Sequence, residues 1–144
     1  MRQERIFFAN GCGDCLSGVL HYPETKPAGA VILCHGMESN KNSAKLVFLA
    51  QALADRGILS LRFDFRHAGE SSGQFENITC SGAVEDLNAA HVLIQNLRLG
   101  KTAIFGSSLG GTIALLFAAR EPRVAALVTL AAPLHPENFP ARLL

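Results

Sequence analysis

A chain of 144 residues suits a single domain, and a hydrophobic content of 49% is enough to build a buried core. With 13 Lys and Arg against 12 Asp and Glu, the formal net charge is +1 and no basic stripe is present, so we expect neither a nucleic-acid nor a membrane partner. The N-terminus has no signal-peptide pattern, and no apolar run approaches the roughly 18 residues of a membrane span. We therefore expect a soluble, cytoplasmic protein.

The chain begins with the pattern of a β-hairpin. An extended run over residues 4–9 leads into the turn NGCGD, and LSGVLHY follows with rough alternation of apolar and polar residues. Cys12 and Cys15 flank this turn as C-G-D-C, a spacing that also occurs in redox and metal sites. Because no second ligand pair stands at zinc spacing, we interpret the two thiols as part of a hairpin turn.

Strands and helices alternate after the hairpin. The predicted strands are GAVILCHG, ILSLRFDF, TAIFGS and VAALVTLAAP, which are short runs of apolar and often β-branched residues. The predicted helices begin at Asn42 or Ser43, at Ser81 or Gly82, and at about Ser108; they end at Gly57, Gly100 and Arg120. This order specifies a largely parallel sheet with helices on both faces. The predicted fold class is α/β.

A Gly-x-Ser-x-Gly motif, made by Gly106, Ser108 and Gly110, lies between the third of these strands and the next helix. At that position the serine must occupy a sharp, strained turn, and the glycines leave room for neighbouring backbone. Such a turn raises the hydroxyl above the sheet, where a base could take its proton and make it a nucleophile. An ordinary helix N-cap is the alternative role for Ser108.

Two backbone N–H groups are expected close to this serine. The N–H of Leu109 comes at the start of a helix, where donors lack an intrahelical acceptor. An earlier strand ends at His35 and Gly36, so the N–H of Met37 can point toward the same spot. Two such donors would form an oxyanion hole for a tetrahedral intermediate, each worth roughly 3–4 kcal/mol.

At these residues the sequence resembles the α/β-hydrolase superfamily, and within it the bacterial serine-aminopeptidase-like and feruloyl or cinnamoyl esterase-like hydrolases. The matching segments are CHGM at 34–37, RFDFR at 62–66, GES at 69–71 and GSSLGG at 106–111. They keep a consistent order, and the resemblance spans nearly all of residues 1–140. His67 departs from the pattern, because such sequences commonly carry glycine at that position.

The resemblance implies a role for each matching residue. Ser108 would be the nucleophile, and Met37 and Leu109 would donate to the oxyanion. The residues that would shape the site around them are His35, Gly36, Gly106 and Gly110.

Several other side chains could be taken for a catalytic base or acid. His35 and Asp64 both end central strands, but we interpret His35 as structural and Asp64 as a carboxylate that braces a loop. The expected partners of Asp64 are Arg66 or backbone amides. The remaining candidates, which we interpret as loop or surface residues, are His21, His67 and His91.

In the family, the acid and the histidine follow the nucleophile along the chain. Residues 131–144 follow the last predicted strand here, and they contain one carboxylate and one imidazole, Glu137 and His135, which we disfavour as the acid and the base. We therefore expect this chain to lack the base of the triad. We therefore expect residues 1–132 to be the N-terminal part of a hydrolase domain and residues 133–144 to begin a lid or linker. An early stop, a split gene and an incomplete gene model are the open explanations.

Two functions agree with this reading. The first is a serine hydrolase of carboxylic esters or related small acyl compounds, for which we expect no cofactor or metal. Because one fold can carry several chemistries, cleavage of amides, thioesters or C–C bonds and perhydrolase activity stay open as alternatives. The second is a catalytically incompetent hydrolase fragment. Its strand at 124–130 would be an open edge, which favours self-association or pairing with a complementary chain.

Overall fold

The computed structural model describes residues 1–144, apart from the side chain of Pro136. Its strands are β1 (Arg2–Ala9), β2 (Cys15–Tyr22), β3 (Ala30–Cys34), β4 (Leu59–Phe63), β5 (Thr102–Ser107) and β6 (Val124–Leu130). Its α-helices are α1 (Ala44–Ala54), α2 (Cys80–Asn96) and α3 (Leu109–Ala118), and short 3-10 helices lie at Phe75–Asn77, Pro136–Asn138 and Ala141–Leu143. None of the helices in the described chain has the length and apolar character of a membrane span.

The six strands form one sheet in the order β1-β2-β4-β3-β5-β6. The pairs β1–β2 and β2–β4 are antiparallel, whereas β4, β3, β5 and β6 run parallel to one another. The predicted α/β class, with an N-terminal hairpin and a mostly parallel sheet, is confirmed. Because β3 and β5 are parallel neighbours, the loops that leave their carboxyl ends meet at the same end of the sheet.

The central strands are buried on both faces. In β3, Ile32 belongs to the larger core beneath α2 and α3, whereas the next residue, Leu33, packs with Leu46 and Ala50 of α1 on the opposite face. All four side chains are 1% exposed or less. Alternation along the strand therefore supplies both cores, which explains why its sequence is apolar at nearly every position.

The observed helix ends differ slightly from the predicted ones. α2 begins at Cys80, rather than at Ser81 or Gly82, because Thr79 caps it: the Thr79 Oγ1 accepts a hydrogen bond from the Gly82 N–H at 3.1 Å. α3 ends at Ala118, two residues before the predicted end at Arg120.

His21 and His91 were predicted to lie in loops or on the surface, and this prediction is wrong, because both are fully buried. β2 is paired on both sides, and His21 is enclosed there; its Nε2 accepts a hydrogen bond from Nε of Arg62 at 2.8 Å. His91 belongs to α2 and faces α3, where its ring packs edge-on against Phe117 with 5.3 Å between centroids. Apolar periodicity identified the helix but gave no information about this buried imidazole.

Burial, followed by the charge of Arg62, lowers the pKa of His21 from 6.5 to about 4. As pH falls, the unfolded chain takes up a proton at this ring near pH 6.5, whereas the folded chain keeps it neutral to about pH 4. The free energy of unfolding should therefore decrease across this window, by up to roughly 1.4 kcal/mol per pH unit from this residue.

His21→Gln should reduce that pH dependence, because the Gln amide oxygen can accept from Arg62 but does not titrate. Urea unfolding followed by circular dichroism between pH 4 and pH 7 measures the effect. The matched control is His135→Gln, at a side chain that is 75% exposed. Identical slopes for the two variants would contradict the role given to His21.

Candidate active site

Ser108 occupies the single residue between the end of β5 and the start of α3. Its backbone has φ 52° and ψ −126°, a conformation that is costly for a residue with a side chain. Its N–H donates to the carbonyl of Leu130 in β6 at 2.8 Å, and the residue is exposed. Its side chain makes no capping hydrogen bond to α3, so the N-cap alternative lacks its usual interaction. The sharp turn predicted from the motif is present.

The flanking glycines are required by close backbone packing. A Cβ on Gly106 would collide with the carbonyl oxygen of Gly110, and a Cβ on Gly110 would collide with the carbonyl oxygen of His35. A Cβ on Gly36 would approach the Ser108 Cβ to 3.1 Å. The end of β5, the start of α3 and the loop after β3 therefore touch through backbone atoms around Ser108.

The two backbone donors named from the sequence lie at this junction. Leu109 is the first residue of α3, and Met37 follows Gly36 in the loop after β3. Among the described residues, neither N–H makes a hydrogen bond. The structure thus brings Ser108 and Gly36 together, and the N–H groups of the residues that follow them, Leu109 and Met37, have no acceptor in the described chain.

The ring of His35 is occupied at both nitrogens. Its Nδ1 lies 2.7 Å from the carbonyl oxygen of Gly36, and its Nε2 accepts a hydrogen bond from the N–H of Phe65 at 3.1 Å. The residue is 3% exposed, and burial lowers the pKa of its imidazole. With both nitrogens engaged, the ring ties the β3 loop to the end of β4 and has no free position for the proton of Ser108.

The carboxylate of Asp64 braces the same loop, as expected, and of its two expected kinds of partner the backbone amides are present. It accepts hydrogen bonds from the N–H of Lys41 at 2.7 Å and of Glu70 at 2.9 Å, as predicted for backbone amides. Its charged partner is the Lys41 ammonium at 2.6 Å, not Arg66. Lys41 also contacts the carboxylate of Glu70, and it is only 1% exposed.

Arg66 pairs with Asp86 of α2 instead. The Arg66 Nε donates to Asp86 Oδ1 at 2.8 Å, and the Arg66 N–H donates to Oδ2 at 2.7 Å. Asn10 at the hairpin also donates to this carboxylate, at 2.9 Å, and Asp86 is fully buried. Sequence reasoning missed both Lys41 and Asp86, because each lies in a polar stretch that looks like solvent-exposed loop or helix surface.

His67 lies in the loop after β4 with φ 70°, a conformation that favours glycine. This conformation explains why glycine is common at this position in the family, and His67 adopts it in spite of its side chain. Its N–H donates to the carbonyl of Ser72 at 2.7 Å, and its Nδ1 accepts a hydrogen bond from the N–H of Gln74 at 2.9 Å. The side chain therefore holds the loop closed upon itself.

The disfavoured candidates for the acid and the base, Glu137 and His135, are close to each other. Nδ1 of His135 lies 3.0 Å from Oε1 of Glu137, and the side chains are 75% and 67% exposed. Among the described residues, no hydrogen bond connects either of them to Ser108.

The C-G-D-C segment is a hairpin turn, as the sequence predicted. The side-chain oxygen of Asn10 accepts hydrogen bonds from the N–H groups of Cys12 and Asp14, each at 2.9 Å. Cys12 and Cys15 are both free and exposed. Within the part of the chain that the structure describes, His, Cys, Asp and Glu side chains form no group of three or more that could hold a metal ion.

The family model described as serine aminopeptidase, S33, matches residues 25–143. The chain belongs to this family of α/β-hydrolases.

Relatives of this chain include enzymes with different substrates. The chain is 36% identical over 109 residues to a 2,6-dihydropseudooxynicotine hydrolase of Paenarthrobacter nicotinovorans, with 72% of this chain and 28% of that protein covered. It is 32% identical over 102 residues to the mitochondrial palmitoyl-protein thioesterase ABHD10 of Bos taurus, with 70% and 32% covered.

Among solved structures, Est1E of Butyrivibrio proteoclasticus, with ferulic acid bound, is similar to this chain with a TM-score of 0.86 and 26% identity. The match covers 92% of this chain and 55% of that one. The chain spans about a third of the length of the curated relatives named here, which are covered to 28% and 32%.

Gly110→Ala tests whether backbone contact at this junction determines the local structure. In a helix, alanine is preferred over glycine by about 1 kcal/mol, so the substitution would ordinarily stabilise α3. Here the added Cβ meets the carbonyl of His35, and we expect a loss of about 1–3 kcal/mol in urea unfolding. Gly11→Ala is the control, because its Cβ would meet no atom within 4 Å. Equal stability of the two variants would show that the junction is not tightly packed.

Proposed function

We propose that this chain carries the nucleophile and the oxyanion-binding groups of a serine hydrolase that acts on carboxylic esters or related acyl compounds. The observation that carries the proposal is Ser108, exposed on a strained turn beside the unbonded N–H groups of Met37 and Leu109. The family supports hydrolysis, and a palmitoyl-protein thioesterase among the relatives supports an acyl substrate.

In the proposed reaction, Oγ of Ser108 attacks the substrate carbonyl carbon while a base accepts the hydroxyl proton. The carbonyl oxygen becomes negatively charged, and the N–H groups of Met37 and Leu109 donate to it. Collapse of this intermediate breaks the bond to the leaving group, which departs with the proton as an alcohol. Water then attacks the acyl-Ser108 ester by the same steps in reverse and releases the acid.

The base for this reaction is, in our proposal, not among residues 1–144. His35 has both nitrogens engaged, His21 and His91 are buried, and His67 is bonded within its loop. His135 is paired with Glu137, and a base supplied by His135 is a weaker proposal than a base from outside these residues. Loss of the base from a serine triad lowers turnover by roughly 10⁶-fold, so we expect the isolated chain to hydrolyse esters very slowly.

Covalent labelling tests this proposal without requiring turnover. A fluorophosphonate probe should modify Ser108, and added imidazole should accelerate the reaction because it supplies a base from solution. Intact-mass and peptide mass spectrometry locate the adduct and measure its rate of formation. Ser108→Ala should abolish the labelling, whereas Ser107→Ala, at the adjacent serine, should retain it. Unchanged labelling in Ser108→Ala, or no labelling of folded protein in imidazole, would contradict the assignment.

We propose a second candidate function, a non-catalytic fragment that acts by pairing through β6. β6 is the terminal strand of the sheet, and its Val128 and Leu130 are 59% and 48% exposed. An apolar edge strand is a ready template for a further strand from another chain.

Size-exclusion chromatography with light scattering distinguishes this candidate. If β6 pairs, the apparent mass should rise with concentration, and Val128→Lys should shift the protein toward monomer because charge on an edge strand opposes pairing. Val92→Lys on α2, at a residue that is 43% exposed, should have no such effect. A monomer at all concentrations would rule out self-pairing.

A further inference from the structure

An apolar cavity lies between the start of α2, the middle of α3 and the segment that follows β6. Its volume is about 300 Å³, at the lower end of the range for small-molecule sites. The side chains that define it are Cys80, Thr112, Leu115, Leu116, Leu134 and Phe139.

Two of the three walls of the cavity start at the Ser108 turn. One wall is α3, where the N–H of Thr112 donates to the carbonyl of Ser108 at 3.3 Å, one helical turn away. The other wall is the segment that follows Leu130, whose carbonyl accepts a hydrogen bond from the N–H of Ser108 at 2.8 Å. Oγ1 of Thr112 joins the two walls by donating to the carbonyl of Pro133 at 2.7 Å. The two walls are thus anchored to the backbone of Ser108 and to each other.

The lining selects an uncharged hydrocarbon group. Among the described residues, the cavity is lined by apolar side chains together with Thr112 and Cys80, and no charged side chain lines it. The Thr112 hydroxyl is already engaged by a carbonyl, and burial raises the pKa of the Cys80 thiol, which keeps it neutral. A polar or charged ligand would therefore lose hydration without gaining partners.

We propose that this cavity binds the hydrocarbon chain of the acyl group, of medium length, while its carbonyl lies at Ser108. The inference rests on the proposed function, since it takes Ser108 as the site of acyl transfer. Beyond that function, the inference assigns a specificity site, made by Thr112, Leu116 and Phe139. It also assigns a substrate class, medium-chain acyl compounds.

Binding of hexanoate, octanoate and decanoate to the intact chain, measured by isothermal titration calorimetry, tests the proposal. Affinity should rise about fourfold per buried methylene, so each step of two carbons should strengthen binding by roughly 15-fold until the cavity is full. Decanoate should also slow alkylation of Cys80 in a Cys12→Ser, Cys15→Ser protein. The other remaining thiol, Cys34, is fully buried and does not interfere.

Two variants with matched exposure locate the ligand. Leu116 and Val92 are 44% and 43% exposed on neighbouring helices, so Leu116→Glu and Val92→Glu should disturb folding equally. Leu116→Glu should weaken decanoate binding at least tenfold, because it places a carboxylate in the cavity. The affinity of Val92→Glu for decanoate should stay within twofold of that of the wild type. Ser108→Ala should bind decanoate normally, which separates this test from that of the nucleophile. Equal effects of the two variants, or affinity independent of chain length, would overturn the proposal.

Discussion

Close backbone packing around Ser108 is the constraint on which the rest of this structure depends. The end of β5, the first turn of α3 and the loop after β3 approach so closely that a methyl group on Gly106 or Gly110 would collide with a carbonyl oxygen. This contact forces the intervening serine into a positive-φ turn, and the turn leaves its side chain exposed at the end of the sheet. A strained residue persists where its surroundings over-determine it, and such residues concentrate at functional sites.

A buried ionic network holds the loop that carries Met37. Lys41 donates through both its backbone N–H and its ammonium group to Asp64, and its carbonyl accepts a hydrogen bond from Arg62 at 2.9 Å. Removing one partner of a buried ion pair typically costs about 3–5 kcal/mol, because the other charge is left unpaired. The network therefore fixes the position of this loop relative to β4, while the His35 ring fixes its first residues.

Those features of the fold that follow from local pattern could be predicted from the sequence. The runs that form β3 and β5 are apolar because both faces are covered, and the Ser108 turn follows from a glycine-flanked serine between a strand and a helix. The polar interior could not be predicted, because its partners are remote along the chain. Lys41 and Asp64 are 23 residues apart, and Asn10 and Asp86 are 76 apart. Apolar periodicity does not register a lysine, an aspartate or a histidine that becomes buried only when such pairs meet.

The central proposal is that Ser108 is the nucleophile and that the N–H groups of Met37 and Leu109 bind the oxyanion formed by its attack. A crystal structure of the chain after reaction with a fluorophosphonate tests this claim most directly, since the adduct imitates a tetrahedral intermediate. The account predicts phosphorus bonded to Oγ of Ser108, with one phosphonyl oxygen roughly 2.7–3.1 Å from the amide nitrogens of both Met37 and Leu109. An adduct on another residue, or a phosphonyl oxygen that contacts neither amide, would contradict it.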